Sequence, residues 1–504
     1  MRSRSMRSLA LALTLVSIAT VAPAAVFTVD DFADAVDANV GDAACETATG
    51  SCTLRAAVQE ANALAGSDEI VVPAGTAVLT IGGTGEDAAA TGDLDVVDDA
   101  TVMGAGAGLT VVDANGLDRV FDIGANVALS GFTIRGGDAG GLDGGGMFIA
   151  PFGEDITVDV RDVHVTGNTA NHGGGIMNQV GSILTLSQAS LADNTASFGA
   201  ALENMGEATV TNVTVSANEI ADPSFGDGVR NDSGTVSLVN VTVSGDRLAS
   251  NNGEFTLQSV ILADGPGGAS CSGTSAPTSA GSNIEQGSSC GLGGAGDLSN
   301  TDPLLLPLAD NGGGTLTHAL SPGSPAIDAA ATCPASGVDQ RGVTRPIDGD
   351  ENGSVLCDVG AYEFDPAAPP TTTTTVFGTT TTTTLPSLCP VGATLDSTTC
   401  RVGELGTSFG AAATPGKKSD KAARLLDKAG DRLTRTQEAL ALEKTKKAVR
   451  QTGKAGKFVR KFGRKLGSAK AGPKLVADEA TRTGLRDEAQ VLEADLFLLR
   501  ESLR

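Results

Sequence analysis

Between residues 26 and 386 the chain contains no lysine and only 8 arginines, against 46 aspartates and glutamates. Aromatic residues make up 3% of the whole chain. After the first 21 residues no apolar run is long enough to span a bilayer. No Cys-x-x-Cys occurs, and the three histidines, His164, His172 and His318, are scattered, so the cysteines have no partners for a zinc site. No phosphate-cradling loop is apparent. What remains over residues 26–386 is the composition of an acidic, glycine-rich β protein.

The chain begins with the sequence features expected of an export signal. Arg2, Arg4 and Arg7 precede an uncharged run over residues 9–21, and Ala22-Pro23-Ala24 supplies small residues for cleavage. Residues 1–25 are expected to be a signal peptide, and the mature protein to be secreted or held at the cell surface. The eight cysteines fall in local pairs: Cys45 with Cys52, Cys271 with Cys290, Cys333 with Cys357, and Cys389 with Cys400. In an exported chain such spacings predict four small disulfide loops, with pairing taken in sequence order.

Internal repeats dominate residues 93–300. Aligned copies place apolar side chains in four columns. Two of these read Ile134, Val165, Leu191, Val215, Val243 and Phe132, Val163, Ala189, Val213, Val241. The other two read Leu129, Val160, Leu186, Val210, Leu238 and Val127, Val158, Leu184, Ala208, Val236. The residues between them are mostly Ser, Thr or charged, so each unit holds two short strands with alternate side chains inward. Val102 and Ile261 are assigned to the Ile134 column in weaker flanking copies. Asn168, Asn194 and Asn218 recur after the strands, followed by Asp246 and Asp264, and predict amide side chains stacked from coil to coil. Glycine-rich corners follow, as in His172-Gly-Gly-Gly-Ile-Met-Asn178 and Phe225-Gly-Asp-Gly-Val-Arg-Asn231. The expected fold is all-β, a right-handed parallel β-helix, because one coil cannot bury its apolar face alone. Leu54, Val58, Ala61 and Leu64 have helical spacing and predict an N-terminal lid.

The stretch Ser51-Cys-Thr-Leu-Arg-Ala-Ala-Val-Gln-Glu-Ala-Asn62 resembles the CSLREA-type segment of exported bacterial β-helix proteins, with Ala56 in place of the motif's Glu. The Asn-Thr-Ala and Gly-Gly-Gly-Ile repeats are similar to those of polymorphic outer-membrane and pectate-lyase-like solenoids. Ser324-Pro-Ala-Ile-Asp328, Asp339-Gln-Arg-Gly342, Arg345-Pro346 and Cys357-Asp-Val-Gly-Ala-Tyr-Glu363 resemble a choice-of-anchor Q domain. The resemblance implies a secreted or cell-surface β-helix protein, with a cap and first coil at 26–92 and a closing domain at 301–366.

Residues 367–387 form a Thr/Pro-rich linker, expected to be extended. Residues 388–504 form a basic helical tail, in which Leu425, Ala429, Leu433, Thr436 and Leu440, and then Leu485, Ala489, Leu492, Leu496 and Leu499, recur at helical spacing. From Lys444 to Lys474 there are twelve Lys or Arg and no acid, with Val449, Phe458, Phe462 and Leu466 on an apolar side. This is either a solvated face or a surface for anionic envelope polymers, lipid headgroups or the protein's own acidic body. Nucleic acid is disfavoured, because no base-reading motif or stacking aromatic accompanies the charge.

Two sets of residues could carry chemistry. Asp348-Gly-Asp350-Glu-Asn352-Gly353 spaces oxygen ligands as a calcium loop does, with Asp358 closing a site for structural Ca²⁺; an empty acidic turn is the alternative. Asp159, Arg161 and His164 place an acid, a cation and an imidazole on outward positions where neighbouring coils carry Ser130, Ser187 and Thr211, and Thr133, Ser190, Thr214 and Thr242. A surface ion pair is the competing reading. The lack of lysine, and of an Asn-Thr-Asp, Asp-Asp, Gly-His-Gly series, argues against a standard pectate lyase or polygalacturonase. The leading expectation is a non-catalytic β-helix protein that binds a polysaccharide or a protein along its solenoid. A polysaccharide lyase or glycoside hydrolase, and a structural envelope component, are the alternatives.

Overall fold

The computed structural model describes residues 24–220, 228–263, 265 and 268–367, with short helical stretches at 424–426, 428–429, 432–433, 435–436, 452, 454–455, 457–459 and 461–462. The signal peptide, the Thr-rich linker, the Cys389 and Cys400 pair, Asp264, the helix expected over 485–499 and most of the basic stretch lie outside these residues. The chain divides into two units.

The first unit is an all-β parallel β-helix. Its strands form a 16-stranded, an 8-stranded and a 3-stranded sheet, and every strand pairing within them is parallel. The long strands Val127–Arg135, Ile156–Thr166, Ser182–Ala192 and Glu207–Ser216 are each bent into two arms. The bend falls where the backbone turns left-handed, at Gly131, Asp162, Gln188 and Asn212, and the next coils turn likewise at Asn240, Ser259 and Ser282. A left-handed residue costs little for Gly and for Asn or Asp, and this column is glycine or polar throughout.

The apolar columns are the core. Val158 lies opposite Val127 and Leu184, Val160 opposite Leu129 and Leu186, and Val165 opposite Ile134 and Leu191, all of them buried. Two assignments move. Val102 lies opposite Leu129, and it is Val112 that faces Ile134, because residues 105–109 separate the two arms of that coil. Leu262, not Ile261, pairs with Val243.

The expected asparagine ladder is present. Asn168 Nδ2 donates to Asn194 Oδ1 (2.9 Å), Asn194 Nδ2 to Asn218 Oδ1 (3.0 Å), and Asn218 Nδ2 to Asp246 Oδ2 (3.1 Å). Each amide also donates to a carbonyl of an earlier coil, Ile134, Val165 and Leu191. A second ladder joins Asn178 to Asn204 (2.7 Å) and Asn204 to Asn231 (2.9 Å). At the corner between them a Cβ on Gly174 would sit 2.5 Å from the Thr195 carbonyl oxygen, so no larger residue fits there.

The lid is a helix, Leu54–Ala63, capped by Thr53, with Leu54, Val58 and Ala61 buried; Leu64 ends it in an extended conformation. The motif residues fasten it. Arg55, buried, pairs with Asp34 (2.6 Å) and donates to the carbonyls of Ala89, Gly92 and Asp93. Glu60 accepts from Gly41 N and Ala43 N, and Asn62 donates to the Asp95 carbonyl (2.6 Å).

Residues 313–316 and 323–363 of the same unit cover the second arms. Leu316 N donates to Ser190 Oγ, Thr214 Oγ1 to Gln340 Oε1, and Ala361 N to Thr242 Oγ1. Arg345 donates to the carbonyls of Asp358 and Gly360. Thr133, Ser190, Thr214 and Thr242, expected as an open hydroxyl surface, are therefore buried. Three disulfides close as expected, Cys45–Cys52, Cys271–Cys290 and Cys333–Cys357.

The second unit holds the antiparallel hairpin of Leu305–Ala309 with Thr317–Leu320 and the helical stretches. There Leu426, Ala429, Leu433 and Thr436 are buried, as are Thr452, Ala455, Val459 and Phe462, and Thr436 Oγ1 meets Thr452 Oγ1 at 3.4 Å. The buried leucine is thus Leu426 rather than Leu425.

Candidate functional site

The strands of the eight-stranded sheet are three or four residues long, and their flanking residues fill the core. Side chains alternate along a strand, so the residue between two inward ones points out. Register stacks these outward residues in one row: Asp95, Asp122, Phe148, Met177, Glu203, Arg230, Ala249 and Ser272. At about 4.8 Å per coil the row is straight, and Asp95, Met177, Glu203 and Ala249 are buried in it.

Two arginines organise the row. Arg119 lies over the Phe148 ring, 4.8 Å from its centroid, and pairs with Asp93 (3.2 Å) and Asp122 (3.3 Å). Arg230 lies over Phe198 at 4.9 Å and bonds Glu203 Oε1 at 2.5 Å. His172 stacks on Phe198 (4.8 Å between centroids), with Nδ1 4.0 Å from Glu203. Burial pushes the Glu203 carboxyl up, although Arg230 and His172 oppose the shift. The Glu203 carboxylate in turn raises His172. Glu203 has no exposed surface, so it orients His172 and Arg230 rather than meeting a ligand. Phe148, His172, Phe198 and Arg230 are half-buried and form the accessible part.

At the start of the row Asp93, Asp95 and Asp122 gather. Burial, with neighbouring carboxylates adding to it, drives Asp93 to about 6, Asp95 to about 8 and Asp122 to about 7.

The expected constellation of Asp159, Arg161 and His164 does not assemble. Asp159 and Arg161 are exposed on the first arm, but the left-handed turn at Asp162 (φ 49°) carries His164 onto the covered arm. There His164 is 4% exposed, its Nδ1 lies 2.7 Å from Ser190 Oγ, and burial drives its pKa down to about 4.

In the expected calcium loop the acids that converge are Asp328, Asp348 and Asp350, placed so that they could hold a metal ion. Asp358 is buried and accepts from Asp328 N (2.8 Å), so Asp328 takes the position assigned to it. Asn352 donates its amide to Asp350 Oδ2 (2.7 Å), and its Oδ1 accepts from Ser354 N.

Sequence reasoning missed Phe148, Glu203 and Arg230. A signal existed: in Met147-Phe-Ile149, Leu202-Glu-Asn204 and Val229-Arg-Asn231 each lies between two inward residues, where alternation sends it out.

No family model, curated protein or solved structure matches the chain.

Proposed function

We propose that this is a secreted or cell-surface β-helix protein that binds a polysaccharide lengthwise along the outer row of its eight-stranded sheet. The observation that carries the reading is the pair of Arg-on-Phe platforms, Arg119 over Phe148 of the eight-stranded sheet and Arg230 of that sheet over Phe198 of the three-stranded sheet. Such platforms offer apolar area to a sugar face and donors to its hydroxyls. The acidic balance of residues 26–386 favours neutral or amino-bearing sugars over polyuronates, which would meet like charge. The leader at 1–25 supports export, and the lid and closing motifs support a CSLREA-type and choice-of-anchor Q-type organisation. Calcium suits the all-oxygen Asp328, Asp348 and Asp350 group as a structural ion. The basic stretch from Lys444 to Lys474 suits polyanions, with affinity that falls as salt rises.

A glycan array and a depolymerisation screen on the purified protein test this. The double variant Phe148→Ala/Phe198→Ala is expected to lose about tenfold in affinity, at roughly 0.5–1.5 kcal/mol per aromatic contact. Unchanged binding would remove the row from the reading. Cleavage of a glycan would make the protein an enzyme, and capture of protein ligands alone would replace the polysaccharide.

A further inference from the structure

Residues 86–92 border the start of the row, where Ala89 N donates to Asp95 Oδ2 and Gly92 lies against Asp118. There one carboxylate oxygen from each of Asp93, Asp95 and Asp122 lies within 4.8 Å of the other two, and the three residues are 2%, 1% and 9% exposed. Among the described residues Arg119 is the cation that bonds this group, through Asp93 and Asp122. Arg55, nearby, is engaged by Asp34 and three carbonyls. One arginine cannot balance three buried carboxylates.

A separate residue points the same way. Asp118 is 3% exposed and its Oδ2 has no hydrogen-bond partner. That oxygen lies beneath Gly92, 2.7 Å from where a Cβ would stand, beside Asp93. Asp122 Oδ1 is likewise buried without a donor. Buried carboxylate oxygens without donors are costly, and a cation supplies what they lack. An all-oxygen set selects a hard ion, of which Ca²⁺ best tolerates irregular geometry.

We propose that Asp93, Asp95 and Asp122, with Asp118 beside them, hold one divalent cation of the calcium class that fastens the cap to the first coils. The fastening follows from the connections of these residues. Asp95 Oδ2 accepts from Ala89 N (2.7 Å), and the Asp95 carbonyl accepts from Asn62 of the lid helix (2.6 Å). The site depends neither on the polysaccharide reading nor on the loop at 348–353.

The test counts metal on the full chain. Protein stripped by chelator is dialysed against Ca²⁺ and its bound calcium is measured by atomic emission. A D348A/D350A variant, which removes the exposed loop from contention, is expected to retain one equivalent. Adding D122N should abolish it, and chelation should speed proteolysis within residues 86–119 at least tenfold. If D122N fails to fold, D118N on the same background should weaken Ca²⁺ at least tenfold. Absence of calcium from D348A/D350A, retention with D122N, or unchanged affinity with D118N overturns the proposal. Loss of calcium by D348A/D350A alone would leave only the loop site.

Discussion

Folding strips water from the His164 imidazole and holds it neutral, with its pKa driven from 6.5 to about 4. The unfolded chain binds that proton more readily than the native one between those values. His164 therefore contributes stability above pH 6.5 that is lost as pH falls towards 4, at most about 3 kcal/mol at roughly 1.4 kcal/mol per unit. Thermal melts from pH 7 to pH 4 should show this decline. His164→Thr, which matches Thr133 and Thr214 in its column, should flatten it; a slope unchanged in the variant would mean that other groups carry the acid sensitivity. The outward position of His164 was legible from its place between Val163 and Val165. Its burial was not, because the covering residues lie far along the chain: Leu316 is 126 positions from Ser190, the partner of His164.

At the scale of elements, the first arms were legible because one face is solvent, and alternation of buried and exposed residues survives, as in Ile156–Thr166 before its corner. In the second arms both faces are buried and consecutive residues lose the pattern, as Ile261–Ala263 shows, which is why Ile261 and Leu262 were exchanged. The loop acids went astray for a related reason: Asp328 reaches Asp350 across 22 residues, and local spacing cannot report that. Gln340 is the joint of the covering segment, accepting from Thr214 Oγ1 and donating to Thr315 Oγ1 and the Leu316 carbonyl. Gln340→Ala leaves these buried groups unsatisfied and should cost about 2–3 kcal/mol in denaturant unfolding. A loss under about 0.5 kcal/mol would show that the segment is held mainly by its other contacts.

Across the whole molecule, the solenoid itself was legible because the same few side-chain choices recur coil after coil, whereas the outer row was not, since its members Asp122, Phe148, Met177, Glu203 and Arg230 share position without sharing chemistry. The asparagine ladder threads these coils along the axis, and it has a polarity. Each amide hands its hydrogen to the next coil towards the C-terminus, and Asp246, a carboxylate, receives without passing one on. Exchanging the same two residue types at different rungs should therefore give unequal results. Asn194→Asp leaves Asn218 Oδ1 without its side-chain donor (3.0 Å) and strips the donors facing the Val165 and Ala192 carbonyls, a loss of about 3 kcal/mol or more. Asp246→Asn keeps an acceptor for Asn218 and should cost less than half as much. Equal losses in denaturant unfolding would mean that the ladder has no direction. If the asymmetry holds, the side-chain rungs of the stack behave as a one-way chain, tolerant of change at its receiving end and intolerant along its length.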